Sequence, residues 1–272
     1  MAETSPGIRL SSLRVYPIKS CGGTAVEEWE VDERGLRYDR RWMLVDEYGR
    51  FMSQRRHPRM ALIRVRTEAD RLVVTAPETP SLEVPFSLPE SKPVLASVWD
   101  DLVETLPVGD EADRWFGEAT GVRCRLVHLP DGAIRPVDPA YGEPGDGVGL
   151  ADGFPFLLIS EGSLADLNAR LERPLPMDRF RPNLVVAGCE PFAEDGWRRV
   201  RIGRITLRVV KPCARCAITT VDQGTGLKSK EPLRTLAAFR RSGTKVLFGQ
   251  YLIHDETGIL RVGDPVEVVS VP

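Results

Sequence analysis

Two cysteines three residues apart, Cys213 and Cys216 in VKPCARCAITTVDQGTG (209–225), are the residues whose type and spacing most directly invite chemistry. Three uses suit such a pair: half of a zinc site, a redox dithiol, or one soft-metal ligand with a bystander beside it. A structural zinc takes four Cys or His ligands in two local pairs. Here His57, His128 and His254 stand alone and far apart in the chain, which disfavours zinc. A redox dithiol opens a helix, whose N-terminal dipole lowers a thiol pKa. The AITTV that follows Cys216 reads as a strand, which disfavours that use as well. The plain alternative is a pair of ordinary buried cysteines, since free Cys is among the most buried of residue types.

The elements that must position these thiols are mostly strands. LRVYPIKS (13–20), RWMLVDEYGRFMSQR (41–55), ALIRVR (61–66), LVVTA (72–76) and DLVETLPV (101–108) are β-branched or aromatic runs broken by Gly, Pro and Asp. Within the second, DEYG predicts a hairpin with a four-residue loop. DEADRWFGEATG (110–121) predicts a helix capped by its aspartate and ended by its glycine, closing a first unit. The stretch 137–153, VDPAYGEPGDGVGLADG, is too rich in Gly, Pro and Asp for regular structure and is either a functional loop or a linker. Beyond it, FPFLLIS predicts a strand, and SEGSLADLNARLER a helix capped by Ser160. NLVVAG, RRVRIG and RITLRVV predict strands, EPLRTLAAFRR a helix with Pro232 in its first turn, and the remainder strands again. Strands that cluster without alternating with helices predict a strand-rich α+β fold with barrels, as two units, 1–125 and 126–272.

Composition sets bounds on partners. A chain of 272 residues with 42% hydrophobic residues supplies a substantial core. Lys and Arg number 37 against 39 acidic residues, a net charge of −2, so no global footprint for nucleic acid or an anionic membrane is expected. The start, MAETSPGIRL, lacks the pattern of a signal peptide, and no apolar run reaches a membrane span of about 18 residues. Five scattered cysteines do not form a secreted disulfide framework. A cytoplasmic protein with reduced thiols is the expectation.

RPNLVVAG, KPCARCAITTVDQGTG, EPLRTL, LFGQYLI and VGDPVEVV, in that order, resemble the molybdenum cofactor sulfurase C-terminal (MOSC) domain. YPIKSCGG, GLRYDRRWMLVDEYG and FMSQRRHPRM resemble the β-barrel domain that precedes it in the same family. The match is nearest the branch that reduces amidoximes and other N-hydroxylated compounds, and it covers nearly the whole chain. The resemblance implies that Cys216, second in the CxRC motif, is both the metal ligand and the catalytic residue for a molybdenum held by a pyranopterin cofactor, a soft thiolate on a thiophilic metal. Cys213 is then the bystander, and Arg215 holds the ligand's charge or touches the cofactor. The cofactor phosphate falls to Lys19, Ser20, Arg40 and Arg181, guanidinium groups offering a bidentate fork of donors. Asn183 and Tyr251 also fall on cofactor-binding positions.

Relatives with a membrane anchor or an appended iron–sulfur domain carry segments not written between Met1 and Pro272. Electrons are therefore expected from a separate protein: a ferredoxin, a flavin reductase or a b-type cytochrome. Two functions follow from the resemblance. One is a molybdenum-dependent oxidoreductase for N-hydroxylated substrates. The other is a cofactor or sulfur carrier with a persulfide on Cys216. The cofactor cleft is expected where the two units meet, bordered by 137–153.

Overall fold

The computed structural model describes residues 7–87 and 91–271. The short β-branched runs fold as strands. In Arg9–Val15, Leu10, Leu13 and Val15 point inward, and a register shift between Leu10 and Ser12 explains why the first two, three apart, share a face. The DEYG turn is one residue longer than its sequence suggests: Val45 bridges Phe51, and the Asp46 carboxylate accepts from the Tyr48 and Arg50 amides. Three α-helices lie among the described residues: α1 (Asp110–Thr120), α2 (Glu161–Asn168) and α3 (Leu233–Phe239). Gly109, not Asp110, caps α1, because the chain enters with a φ of 137° open to glycine. Ser160 caps α2 as expected, accepting from the Ser163 amide at 3.0 Å. Pro232 sits just outside α3, as its cap. None of these helices is long and apolar enough to cross a membrane.

The fold is strand-rich α+β, and its two halves interlock. One sheet of nine strands runs Thr24–Val26, Arg9–Val15, Leu184–Ala187, Phe156–Ser160, Lys245–His254, Ile205–Ala214, Arg199–Ile202 and Val266–Ser270, with Arg241–Ser242 paired to Lys245–His254 off this path. The strand Arg9–Val15 is thus built into a sheet whose other members nearly all come from beyond residue 150, Arg9 opposite Ala187. A second sheet joins Trp42–Val45, Arg125–His128, Asp101–Pro107 and Val94–Val98, so the strand at the expected 125/126 boundary completes the first half. Core packing follows the same pattern. Leu10, Leu13, Val31 and Leu36 pack with Leu158, Leu184, Leu207 and Leu252 in one cluster, while Ile18, Trp42, Met60, Phe116 and Leu126 form the core of the first half.

Two expectations need correction. The AITTV after Cys216 is not a strand: Ala217–Thr220 is a 3-10 turn, with Cys216 extended at its cap and the Thr219 hydroxyl donating to the Cys216 carbonyl at 3.0 Å. A Thr pair whose hydroxyls bond back to carbonyls three residues earlier favours such a turn. The Gly-rich stretch is also not wholly irregular, because Arg135–Pro136 pairs with Gly147–Val148 in a short antiparallel ladder.

Candidate functional site

The chain leaves the strand Arg9–Val15 at the seam between the halves and runs along Trp42, the Lys19 amide donating to the Trp42 carbonyl at 2.8 Å. A half-open cleft forms there. It is lined by Lys19, Ser20, Arg40, Arg181, Asn183, Arg215, Cys216 and Tyr251, so all eight residues singled out by the sequence face one space. Ser20, Arg40 and Arg181 have φ values of 66°, 48° and 57°. Non-glycine residues hold this left-handed conformation only where their surroundings over-determine it, and such residues cluster at binding sites.

The phenol ring of Tyr16 holds two of these cations apart. Arg40 lies 4.4 Å from its centroid and Arg181 4.3 Å. The Tyr16 hydroxyl donates to the Pro182 carbonyl at 3.2 Å. Nothing in the spacing of the sequence marks Tyr16 for this, although it opens the quoted YPIKS motif.

The polar side chains divide into closed and open groups. Arg40 is paired with Asp39, and its Nη1 also donates to Asn183 Oδ1 at 3.0 Å. Asn183 spends its remaining capacity on the backbone and on Asp39: Nδ2 donates to Asp39 Oδ1 and to the Arg14 carbonyl, and Oδ1 accepts from the Leu157 amide. Its amide is thus saturated, and its part in the site is to hold Arg40 and Asp39 in register. Lys19 Nζ donates to Asp152 Oδ1 at 2.5 Å and to the Leu150 carbonyl at 2.8 Å. Asp152 lies at the end of the Gly-rich stretch and lines the cleft, so that stretch borders the site through its last residues. Although 44% of the Asp152 side chain is exposed, Lys19, Arg55 and Trp99 surround it. Burial opposes ionisation, but Lys19, then Arg55 and the Trp99 indole N–H, hold its carboxyl below the usual carboxylate range. Burial lowers the Lys19 pKa against the pull of Asp152. The two shifts pull in opposite senses, and the 2.5 Å contact decides for a charged pair at neutral pH.

Arg181 and Arg215 make the open group. Neither has a carboxylate within ion-pair distance among the described residues. Arg181 Nη1 donates to the Cys21 carbonyl at 2.6 Å, and burial lowers its pKa to about 10. Arg215 donates from Nη2 to the Phe180 carbonyl at 2.6 Å and from Nη1 to Cys213 Sγ at 2.9 Å, while its buried Nε has no partner. Burial would lower its pKa, but the Cys213 thiol, the Tyr251 phenol and the Cys216 thiol raise it on balance. The two cysteines differ: Cys213 is buried against Leu236 and Phe248, and Cys216 is half-buried at the cleft. Tyr251 stacks on Phe154 at 4.9 Å, and burial, then Cys213, raises its pKa well above the ordinary phenol value.

Isolated buried guanidinium groups are costly unless an anion meets them. A soft thiol facing two such groups describes a site for an anionic, thiophilic ligand. No group of three or more His, Cys, Asp or Glu among the described residues is arranged to hold a metal, so a metal at Cys216 would bring its other donors with it.

Residues 7–123 match the MOSC N-terminal beta barrel domain, and residues 146–267 match the MOSC domain. Mitochondrial amidoxime-reducing component 1 of Mus musculus is 39% identical over 96% of this chain and 82% of its own length. Its Homo sapiens counterpart is 37% identical over 96% and 83%. Molybdenum cofactor sulfurase of Oryza sativa subsp. japonica is 35% identical over 92% of this chain but only 33% of its own length. The chain therefore belongs to the MOSC family, in the form that sets the MOSC N-terminal barrel ahead of the MOSC domain.

Proposed function

We propose that this protein is a molybdenum-cofactor-dependent reductase of N-hydroxylated substrates such as amidoximes, supplied with electrons by a separate protein. The observation that carries the reading is the pair of carboxylate-free guanidinium groups, buried Arg181 and partly buried Arg215, facing the half-buried thiol of Cys216 in one cleft. These residues fit an anionic cofactor with a terminal phosphate and an open metal coordination site. Arg181 and the left-handed Ser20 and Arg40 segments would hold the phosphate end, Cys216 would ligate the metal, and the unpartnered Arg215 Nε would meet negative charge beside it. When bound, the cofactor supplies two-electron redox chemistry at a metal able to take up oxygen.

Reduction of an amidoxime breaks its N–O bond and consumes two electrons and two protons, giving the amidine and water. The chain must deliver protons and keep its donors oriented. Tyr251 keeps its phenol proton at neutral pH because burial and Cys213 raise its pKa, so its hydroxyl can donate in the cleft. Asp152 stays ionised and holds Lys19 in place at the edge of the cleft. Phe154, Phe156, Leu157 and Phe180 form the apolar part of the lining and exclude water from the reacting end.

The test is a direct one. Protein purified natively is analysed for molybdenum and assayed for benzamidoxime reduction with reduced methyl viologen, beside Cys216→Ser. Bound molybdenum with turnover that Cys216→Ser loses supports the reading. Cyanide-releasable sulfur on Cys216 without turnover would instead show a sulfur carrier.

A further inference from the structure

A basic patch adjoins the cleft, and none of the site residues accounts for it. From Tyr48 to Thr67 the chain has no acidic residue, and from Gln223 to Lys230 it has none either. The fold lays these two segments together. Lys228 Nζ donates to the Arg55 carbonyl at 2.7 Å, Arg64 Nη2 donates to the Gln223 carbonyl at 2.7 Å, and Gln54 and Gln223 exchange side-chain hydrogen bonds. Arg56, Arg59, Arg64, Lys228 and Lys230 are exposed, and none makes an ion pair within 4.0 Å among the described residues. Four carboxylates that flank the two segments or the cleft are already engaged: Asp46 by Arg50, Asp152 by Lys19, Asp222 by Arg179 and Glu231 by Arg234. The His57 pKa is lowered by burial and then by Arg56, with Asp46 opposing and Lys228 adding to the shift.

The patch is continuous with the cleft. Gln54 Nε2 donates to the carbonyl of Ser20, a lining residue, at 2.8 Å, and Arg55 reaches Asp152 at 3.7 Å. Two large apolar side chains stand exposed within it: Leu227, and Trp99, whose ring lies 4.4 Å from the Arg55 guanidinium. Exposed apolar side chains beside unpaired positive charge suit a transient, electrostatically steered protein interface, although Asp100 and Asp101 follow Trp99 on the exposed surface. On a chain of net charge −2, such a concentration of uncompensated positive charge beside the redox site selects a partner of opposite sign.

We infer that this surface, from Arg55–Arg59 to Leu227–Lys230, docks an acidic electron-transfer protein at the mouth of the cleft. The inference rests on the proposed reductase reading, and binding is therefore measured apart from turnover. The probe is an acidic [2Fe–2S] ferredoxin titrated into the purified protein by calorimetry at low and at physiological salt. Wild type should bind more weakly as salt rises. Arg56→Glu and Lys228→Glu together should raise Kd at low salt tenfold or more. The milder Arg56→Gln with Lys228→Gln should raise it less and serves if the reversed pair folds poorly. Arg204→Glu should leave Kd unchanged, since Arg204 lies in the turn at the opposite end of the strand Ile205–Ala214 from the cleft. The inference is overturned if wild type does not bind the ferredoxin, if Arg204→Glu weakens binding as much as the patch variants, or if neither patch variant does. It is equally overturned if the patch variants lose binding to phosphatidylserine vesicles or to a single-stranded oligonucleotide that wild type binds more tightly than the ferredoxin. Methyl viologen-driven benzamidoxime turnover, measured in parallel, should be the same in wild type and variants; its absence in wild type would count against the reductase reading and leave the binding result standing.

Discussion

The two groups of cations in the cleft are built on opposite plans. Lys19 and Arg40 are each matched by a carboxylate, Asp152 and Asp39, and Arg40 is further fixed by the saturated amide of Asn183. Arg181 is buried and Arg215 partly buried, yet neither has a carboxylate among the described residues, and Arg215 keeps a buried N–H without a partner. A matched cation is part of the framework, since removing its partner strands a buried charge. An unmatched cation is held ready at a cost to the fold that a bound anion offsets. The closed group should therefore govern stability, and the open group ligand retention.

The largest effect expected from the open group is on its thiol. Cys216→Ser should reduce benzamidoxime reduction to background in cofactor-loaded protein, because a serine oxygen is a harder and less readily ionised donor. Cys213→Ala should cost about fivefold, the equivalent of roughly 1 kcal/mol for the hydrogen bond it accepts from Arg215. Equal losses from both substitutions would point to a dithiol or shared-metal site instead.

The contrast between groups is sharpest in cofactor-free protein. Asp39→Ala should lower the unfolding free energy by about 3 kcal/mol, read as a reduced urea midpoint, because it strands Arg40 and frees the Tyr16 amide and Asn183. Arg181→Met should change stability by no more than about 1 kcal/mol, since an apolar side chain of similar length removes an unmatched charge. The division into closed and open groups fails if Arg181→Met destabilises as much as Asp39→Ala.

A finer comparison concerns Arg181 alone. Arg181→Ala should weaken cofactor retention tenfold or more, corresponding to about 1.5–3 kcal/mol for a charge-assisted contact, and Arg181→Lys should weaken it less because the charge stays. The readout is molybdenum content after dialysis. Wild-type retention in both variants would remove Arg181 from the site.

The smallest effect lies in acid. The Asp152 pKa is lower in the folded protein than in the unfolded chain, so below about pH 4 the unfolded chain binds more protons and stability falls with pH. The contribution is present above that range and is lost as pH drops through the folded value. Asp152→Asn should flatten this part of the stability profile measured by urea unfolding at pH 3 to 5. An unchanged slope would mean that the Lys19 contact adds nothing to Asp152.

Much of the cleft was legible before the fold, because motifs such as YPIKS, FRPN and KPCARC carry their residues in a fixed order and the fold brings all eight together. What could not be read are relations between distant segments. Asp152 gives no local sign that it faces Lys19 across 133 positions, and Asn183 looks like a ligand until its four partners are counted. The strand reading of AITTV failed for another reason: β-branched residues favour strands, but two threonines bonding back to the chain formed a 3-10 turn instead. The domain boundary was hard to place because Arg9–Val15 pairs across the whole intervening chain.

That long pairing also imposes a schedule on synthesis. Arg9–Val15 leaves the ribosome early and can pair at once only with Thr24–Val26; its other edge waits until Leu184–Ala187 has been made, which at 5–20 residues per second takes roughly 10–35 s. During that interval Leu10, Leu13 and Val15 have at most a two-stranded ribbon with Thr24–Val26, and the first-half core around Trp42 and Phe116 must form without them. The nascent chain thus carries an apolar strand with one edge open just ahead of Lys19, and holding chaperones have a prolonged opportunity there.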